Sequence, residues 1–88
     1  MKKTTFNHNK ITTREEYQKE LQKIGHVIRE LRFNYGLLTQ KNLARMSGVH
    51  FNTIQAIERG EKNYNILSLL KILSFFKYEL STFSEDFL

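Results

Sequence analysis

The sequence predicts a small all-α domain. In successive stretches of the chain, apolar residues recur every three or four positions, which is the spacing of a helix that buries one face. Residues that often cap helices, Thr13, Thr39 and Asn65, stand just before three of these stretches. A chain of 88 residues has room for one core of four or five helices and for little else.

The first helix is predicted to be long. Thr13 and Glu16 have the spacing of a capping box, and the helix that they open is expected to run to about Tyr35. It carries an apolar stripe over four turns, formed by Tyr17, Leu21, Ile24, Ile28 and Leu31. Gly25 inside this helix indicates a bend or a close contact with another element.

Two short helices joined by a glycine turn are predicted next. Thr39 can cap the first of them, and one of its faces is formed by Leu43, Ala44 and Ser47. Gly48 follows that face directly and suits a left-handed turn. The third helix is expected to begin near His50 or Phe51. Its apolar contacts are predicted to be Val49, Ile54 and Ile57.

The outer face of the third helix carries side chains that suit base recognition. At ~100° per residue, Ile54 and Ile57 fall on one side of the helix and a chemically varied set falls on the other. That set is Phe51, Asn52, Gln55, Ala56 and Arg59, with Thr53 at its border. Carboxamides and arginine can hydrogen-bond to adenine or guanine, and apolar groups can contact thymine methyls. We therefore predict that residues 50–59 read double-stranded DNA.

A loop and a fourth helix are predicted after Gly60. Lys62 and Asn63 are placed to meet phosphates as the third helix leaves the groove, although a merely solvated loop is the alternative. Asn65 can cap the fourth helix. Its core face is predicted to consist of Ile66, Leu69, Leu70, Leu73 and Phe76.

The last eleven residues place apolar side chains among acidic ones. A fold of this size has little core left to cover them, so we expect a contact between two copies of the chain. The predicted contact residues are Phe83, Phe87 and Leu88, with Tyr17 and Leu21 as further candidates. A frayed terminus is the competing interpretation.

Charge and composition narrow the range of partners. The formal net charge is +5, and residues 78–88 contribute three acidic and no basic side chains, so the rest of the chain is strongly basic. Such a balance favours a polyanionic partner. Residues 1–11 hold three lysines without apolar periodicity and are interpreted as a mobile basic tail before a domain at residues 12–88.

Several other classes of protein are not expected. The chain has no cysteine and no apolar run of about 18 residues, so we predict a cytoplasmic protein with no membrane partner. His8, His26 and His50 lack the spacing of metal ligands, and no glycine-rich phosphate loop or Ser-His-Asp ordering occurs. We therefore expect no catalysis, no metal and no cofactor.

The stretch from Gln40 to Gly60 resembles the helix-turn-helix of the Cro/cI or XRE family of bacterial and phage repressors. The matching residues are Gln40, Ala44, Gly48, Ile54, Ile57, Glu58 and Gly60. The resemblance extends over Ile24 to Phe83. It implies a compact five-helix, lambda-repressor-like DNA-binding domain, here with an extended first helix.

Two positions depart from the family pattern. The turn that contains Leu37 and Leu38 is one residue longer than is usual before the glutamine at position 40. Lys77 stands where the family commonly has glycine, which predicts a less sharply turned end of the fourth helix.

The resemblance also implies residue roles and a function. Gln40 is expected to contact the DNA backbone and to brace the first recognition side chain, and Arg32 and Glu58 are expected to form an ion pair. The implied protein is a sequence-specific transcriptional regulator, a repressor that binds a pseudo-palindromic operator as a homodimer. The alternative is an antitoxin, with a toxin protein as its partner, or another protein-interaction module on the same scaffold.

Overall fold

The computed structural model describes residues 13–61, 63–78 and 82–83, and within them it is all-α, as predicted. Four helices are defined there: α1 (Arg14–Asn34), α2 (Gln40–Ser47), α3 (Phe51–Glu58) and α4 (Ile66–Phe75). Thr82 and Phe83 are also helical and lie at the end of the stretch, Ile24 to Phe83, that resembles the five-helix family. The predicted tail, residues 1–11, lies outside the described residues.

The long first helix is confirmed. The Thr13 hydroxyl accepts a hydrogen bond from the Glu16 amide at 3.2 Å, and the Glu16 carboxylate accepts one from the Thr13 amide at 3.1 Å. This reciprocal capping box satisfies amides that have no partner inside the helix. The helix then continues for 21 residues, which corresponds to about 31 Å.

The extra residue between α1 and α2 is accommodated in the turn. Gly36 and Leu37 both have a left-handed backbone, with φ of 80° and 60°, and the Leu37 side chain is 77% exposed. The next residue, Leu38, is bonded to the end of α1, because its amide donates to the Arg32 carbonyl at 3.1 Å. Leu38 also packs against the core. The turn therefore exposes Leu37 to solvent and leaves Leu38 in contact with the core.

The core is formed by residues from all four helices. Helix α1 packs on α3, and α2 packs on both α3 and α4. The buried core residues are Ile28, Leu43, Val49, Ile54, Ile57, Leu69, Ile72, Leu73 and Phe83. Phe83, one of the predicted contact residues between two copies, is only 5% exposed and belongs to the core of its own chain. Its side chain is thus not a free surface within one chain.

The predicted core face of α4 is partly wrong. Leu69 and Leu73 are buried as expected, but Ile66 and Leu70 are 63% and 40% exposed. Ile72, which does not belong to the predicted face, is fully buried. Seven of the ten residues of this helix are apolar and they extend around most of it, so periodicity alone does not fix the edges of the buried face. The buried side is the one that packing against α2 selects.

The end of α4 also differs from expectation. Lys77 adopts a left-handed conformation with φ of 57°. Its amide donates to the Ser74 carbonyl at 2.9 Å, and the Tyr78 amide donates to the Leu73 carbonyl at 2.8 Å. These two bonds are those of a Schellman motif, in which glycine usually occupies the left-handed position. The helix therefore ends as sharply as it would with glycine, at the cost of backbone strain in a lysine.

Candidate nucleic-acid interface

Helices α2 and α3 are joined by the left-handed glycine turn that the sequence predicts. The Thr39 hydroxyl caps α2 by accepting from the Asn42 amide at 3.1 Å. Gly48 has φ of 78°, and its amide donates to the Ala44 carbonyl at 3.0 Å. Apart from Gly48 itself and its two chain neighbours, no described residue has an atom within 4 Å of the position that a Cβ at Gly48 would take. Backbone conformation, and not close packing of the two helices, is therefore what requires glycine.

Helix α3 presents a buried side and an outward side. Ile54 and Ile57 are fully buried, and Val49 just before the helix is 4% exposed. The side chains suggested for base recognition lie outside this buried set: Asn52 and Arg59 are exposed, and Phe51, Thr53, Gln55 and Ala56 are partly exposed. The division follows the helical projection of the sequence. It leaves carboxamide, guanidinium and apolar groups available on one short helix.

A buried carboxylate joins three of the helices. Arg32 on α1 donates to Glu58 at the end of α3 through two nitrogens, Nε and Nη2, each at 2.8 Å. The side chains are 10% and 1% exposed, so the pair is almost dry. Gln40 at the start of α2 donates from Nε2 to the same carboxylate at 3.0 Å. Such a charge-assisted two-pronged contact fixes orientation as well as distance.

Arg32 also holds the turn that precedes α2. Its Nη1 donates to the Leu38 carbonyl at 2.9 Å, while its other nitrogens remain on Glu58. The guanidinium thus links the end of α1, the inserted turn and the end of α3. Gln40, which the resemblance places on the DNA backbone, has its amide nitrogen on Glu58 and is partly exposed. Its position is therefore set by the same carboxylate.

A second arginine, which sequence analysis did not single out, reaches the end of α3. Arg29 Nη2 donates to the Glu58 main-chain carbonyl at 3.2 Å, and its Nε lies 3.6 Å from the carboxylate. A cation at this place is favoured by the partial negative charge of a helix C-terminus. Arg29 precedes Arg32 by three residues on the same face of α1, and this spacing was the available signal.

Gly25 marks the closest approach of α1 to α3. A Cβ there would collide with the Ile57 carbonyl oxygen and lie 2.7 Å from that of Glu58. Both atoms belong to main chain and cannot rotate away. The close contact suggested by a glycine inside a long helix is thereby confirmed.

Several polar groups surround the outward face of α3. Arg59 Nε and Glu61 Oε2 form an ion pair at 2.7 Å, and both side chains are about half exposed. Lys41 Nζ lies 5.8 Å from the centre of the Phe51 ring, a distance at which a cation is attracted to the aromatic face. Asn63 is exposed in the following loop. Lys62, the other predicted phosphate contact, lies outside the described residues.

In the described part of the chain, no group of three or more histidine, aspartate or glutamate side chains is arranged to hold a metal ion. No helix in residues 13–61, 63–78 or 82–83 is long and apolar enough to cross a membrane. Tyr64 lies half-buried against the core, and this burial raises the pKa of its phenol.

Comparison with known proteins finds a family and several solved structures. A family model described as a helix-turn-helix matches residues 36–83, more than half of the chain. No curated protein sequence matches the chain.

Several similar solved structures are restriction-modification controller proteins. C.Esp1396I bound to a 19 base pair DNA duplex is 32% identical, with a TM-score of 0.67 over 77% of this chain and 89% of that one. A point mutant of C.Esp1396I is also 32% identical, with a TM-score of 0.67 over 78% of this chain and 91% of its own. C.AhdI from Aeromonas hydrophila is 30% identical, with a TM-score of 0.64 over 80% and 98% of the two chains.

Proposed function

The chain belongs to the Cro/cI-like helix-turn-helix family of DNA-binding transcriptional regulators, and we propose that it represses or regulates genes by placing α3 in the major groove of a pseudo-palindromic operator. The observation that carries this proposal is the division of α3 into a buried apolar side and an outward side. That outward side offers Asn52, Gln55 and Arg59 to base edges. One of the similar controller proteins was solved on a DNA duplex, which supports the same kind of partner.

The first experiment separates base reading from phosphate contact. Asn52→Ala or Gln55→Ala is expected to cost about 1–3 kcal/mol on the preferred duplex and to relax specificity at one position. Lys62→Ala is expected to weaken binding to all duplexes alike. It should also reduce the slope of the logarithm of the binding constant against the logarithm of the salt concentration by roughly one unit. Preferred duplexes are first selected from random DNA by binding to the wild-type chain. Each variant is then titrated against preferred and random duplexes at several salt concentrations. Equal losses of all three variants on preferred and random DNA would contradict this use of α3.

The regulator is proposed to act as a homodimer. One short helix reads only a few base pairs, whereas two helices about one DNA turn apart, or ~34 Å, supply the affinity and the palindromic target. Since Phe83 is in the core, we propose that the exposed apolar ridge at the start of α4 forms the contact. The ridge consists of Ile66, Leu67 and Leu70, at 63%, 54% and 40% exposure.

The position of this ridge suits a dimer that reads DNA. It begins eight residues after the end of α3, so in each copy one short loop joins the proposed contact to the reading helix. An exposed apolar patch can also be buried against the same patch on a second copy. Phe87 and Leu88 stay candidate contacts and lie outside the described residues.

Leu67→Glu tests the dimer contact. The substitution places a charge in the ridge but leaves the core untouched, so we expect a folded chain that sediments as a monomer and binds the palindrome more weakly. Met46→Glu on α2 is the matched control, because Met46 is 49% exposed and lies outside the ridge. A wild-type chain that sediments at 10.5 kDa at tens of micromolar and binds a half-site as tightly as a palindrome would rule out the dimer.

The regulated genes are proposed to be those of a restriction-modification system. Several similar solved structures, at 30–32% identity, are restriction-modification controller proteins, which supports this proposal. The antitoxin alternative uses the same scaffold, so the neighbouring genes distinguish the two. A nuclease and a methyltransferase beside this gene support the controller, whereas an adjacent toxin gene supports the antitoxin.

A further inference from the structure

The first turns of α1 lie against the turn that ends the reading helix. Gln18 Nε2 donates a hydrogen bond to the Gly60 carbonyl at 2.8 Å, across 42 residues of sequence. One turn later, Gln22 packs so closely on Gly60 that a Cβ there would lie 2.9 Å from Gln22 Cγ and 3.2 Å from its Cα. The part of α1 that precedes the family resemblance therefore contacts the exit of α3.

The contacted turn has a defined shape. Gly60 has φ of 77°, its amide donates to the Ile57 carbonyl at 3.0 Å, and the Glu61 amide donates to the Ala56 carbonyl at 2.9 Å. These bonds form a Schellman motif. Arg59 and Glu61 are the sequence neighbours of this glycine, and their side chains pair with each other at 2.7 Å. Because Arg59 directly precedes Gly60, the position of the Gly60 backbone determines the position of the Arg59 Cα atom.

The beginning of α1 contributes little to the core. Tyr17 is 60% exposed, and the first fully buried apolar residue of α1 is Ile28, ten positions after Gln18. Helix α3 has eight residues, too few to hold its last turn without help from other elements. Gln18, a long hydrogen-bond donor on α1, supplies that help by binding the Gly60 carbonyl in the turn that follows α3. Methionine in place of Gln18 has a similar reach but no N–H to donate.

We propose that Gln18 is a positioning residue for DNA reading, and that it acts through Arg59 by fixing the Gly60 turn. This inference rests on the proposed function, in which Arg59 faces the groove. It assigns a role to the extension of α1, which holds the exit of the reading helix without contacting DNA.

A double-mutant cycle tests the proposal. Gln18→Met in the full chain is expected to weaken binding to the preferred duplex about three- to tenfold, the range that loss of one hydrogen bond can produce. Binding to random DNA is expected to change less than about twofold. In an Arg59→Ala background the effect of Gln18→Met should nearly vanish, because the residue through which it acts is gone.

Gln22→Met is the matched control. It keeps the methylene groups that pack on Gly60 and changes an exposed amide on the same face of α1, so we expect wild-type binding. All titrations are run at a temperature at which circular dichroism shows every variant folded. A merely structural role predicts a lower melting temperature and, once the chain is folded, unchanged discrimination between preferred and random DNA.

Two outcomes overturn the inference, and they are distinct from failure of the proposed function. Equal losses for Gln18→Met with and without Arg59 would show that the two residues are independent. Unchanged discrimination by Gln18→Met in a chain that reads DNA would refute the positioning role alone. A wild-type chain that selects no sequence from random DNA would refute the proposed function and this inference with it.

Discussion

Replacement of Glu58 by glutamine tests whether one buried carboxylate holds the reading unit together. Glutamine keeps the shape of the side chain but removes its charge and turns one acceptor into a donor. The Arg32 guanidinium, whose side chain is only 10% exposed, then lacks a counter-charge, and one of its 2.8 Å hydrogen bonds becomes a donor-donor contact. Removing one partner of a buried ion pair costs about 3–5 kcal/mol.

That cost is large for this chain. At roughly 0.05–0.15 kcal/mol per residue, a domain of this length has a free energy of unfolding of about 4–13 kcal/mol. Since glutamine can still accept one bond, we expect the lower end, about 3 kcal/mol, from Glu58→Gln. The melting temperature should fall by about 12–24 °C, because 1 kcal/mol corresponds to about 4–8 °C in so small a domain. Urea unfolding and thermal melting, followed by circular dichroism, measure both quantities.

Glu61→Gln provides the matched control. The Arg59–Glu61 pair is as short, at 2.7 Å, but its side chains are 57% and 52% exposed. Exposed pairs contribute about 0–1 kcal/mol, so the same chemical change should hardly alter unfolding there. Equal destabilisation by the two variants would refute the argument that burial sets the value of the Glu58 contact.

A double variant separates orientation from stability. Arg32→Met combined with Glu58→Met replaces the pair by apolar groups, which recovers most of the stability lost when a single partner is removed. Gln40 then loses the carboxylate that receives its amide, so we expect weaker DNA binding by a folded chain. Full DNA affinity in this double variant would show that the ion pair does not orient the helices.

Three backbone substitutions give further expected outcomes. Gly25→Ala should destabilise the fold by about 1–3 kcal/mol, because the alanine Cβ meets main-chain atoms of Ile57 and Glu58. This cost should outweigh the better helix propensity of alanine. A raised melting temperature would contradict this packing. Gly48→Ala should lower the free energy of unfolding by only about 1–2 kcal/mol, because the left-handed backbone is the only source of strain there. A variant that is unfolded at 25 °C would mean that the site is crowded. Lys77→Gly should stabilise the fold by up to about 1 kcal/mol in urea titration, since glycine removes the strain at φ of 57°. Destabilisation would show that the contacts of the lysine side chain outweigh the backbone strain.

Local features of the fold could be predicted from the sequence because the chemistry that produces them is local. The caps at Thr13, Thr39 and Asn65 each satisfy a nearby amide, and all three are present. The left-handed turn at Gly48 and the buried side of α3 also follow from neighbouring residues. No distant contact is needed to decide any of these features.

Features that depend on distant contacts could not be predicted in the same way. Helix α4 is apolar on several sides, so only its packing partners decide that Ile72 is buried and Ile66 is exposed. The apolar stripe of α1 was visible, but its polar neighbours Gln18 and Arg29 have no local partner. Their partners are main-chain carbonyls at the end of α3, which are invisible in a sequence.

The polar contacts of α1 explain how so short a reading helix can be held in one orientation. Helix α3 has about two turns, and its N-cap residue, His50, makes no capping side-chain hydrogen bond in the part of the chain that the structure describes. Its other end is held by side chains of α1 on the Glu58 carboxylate, the Glu58 carbonyl and the Gly60 carbonyl. Since these anchors share one rigid helix, they constrain both the tilt and the rotation of α3. Substitutions on this face of α1 should therefore change how well the chain discriminates between DNA sequences, even where the substituted side chain touches no DNA.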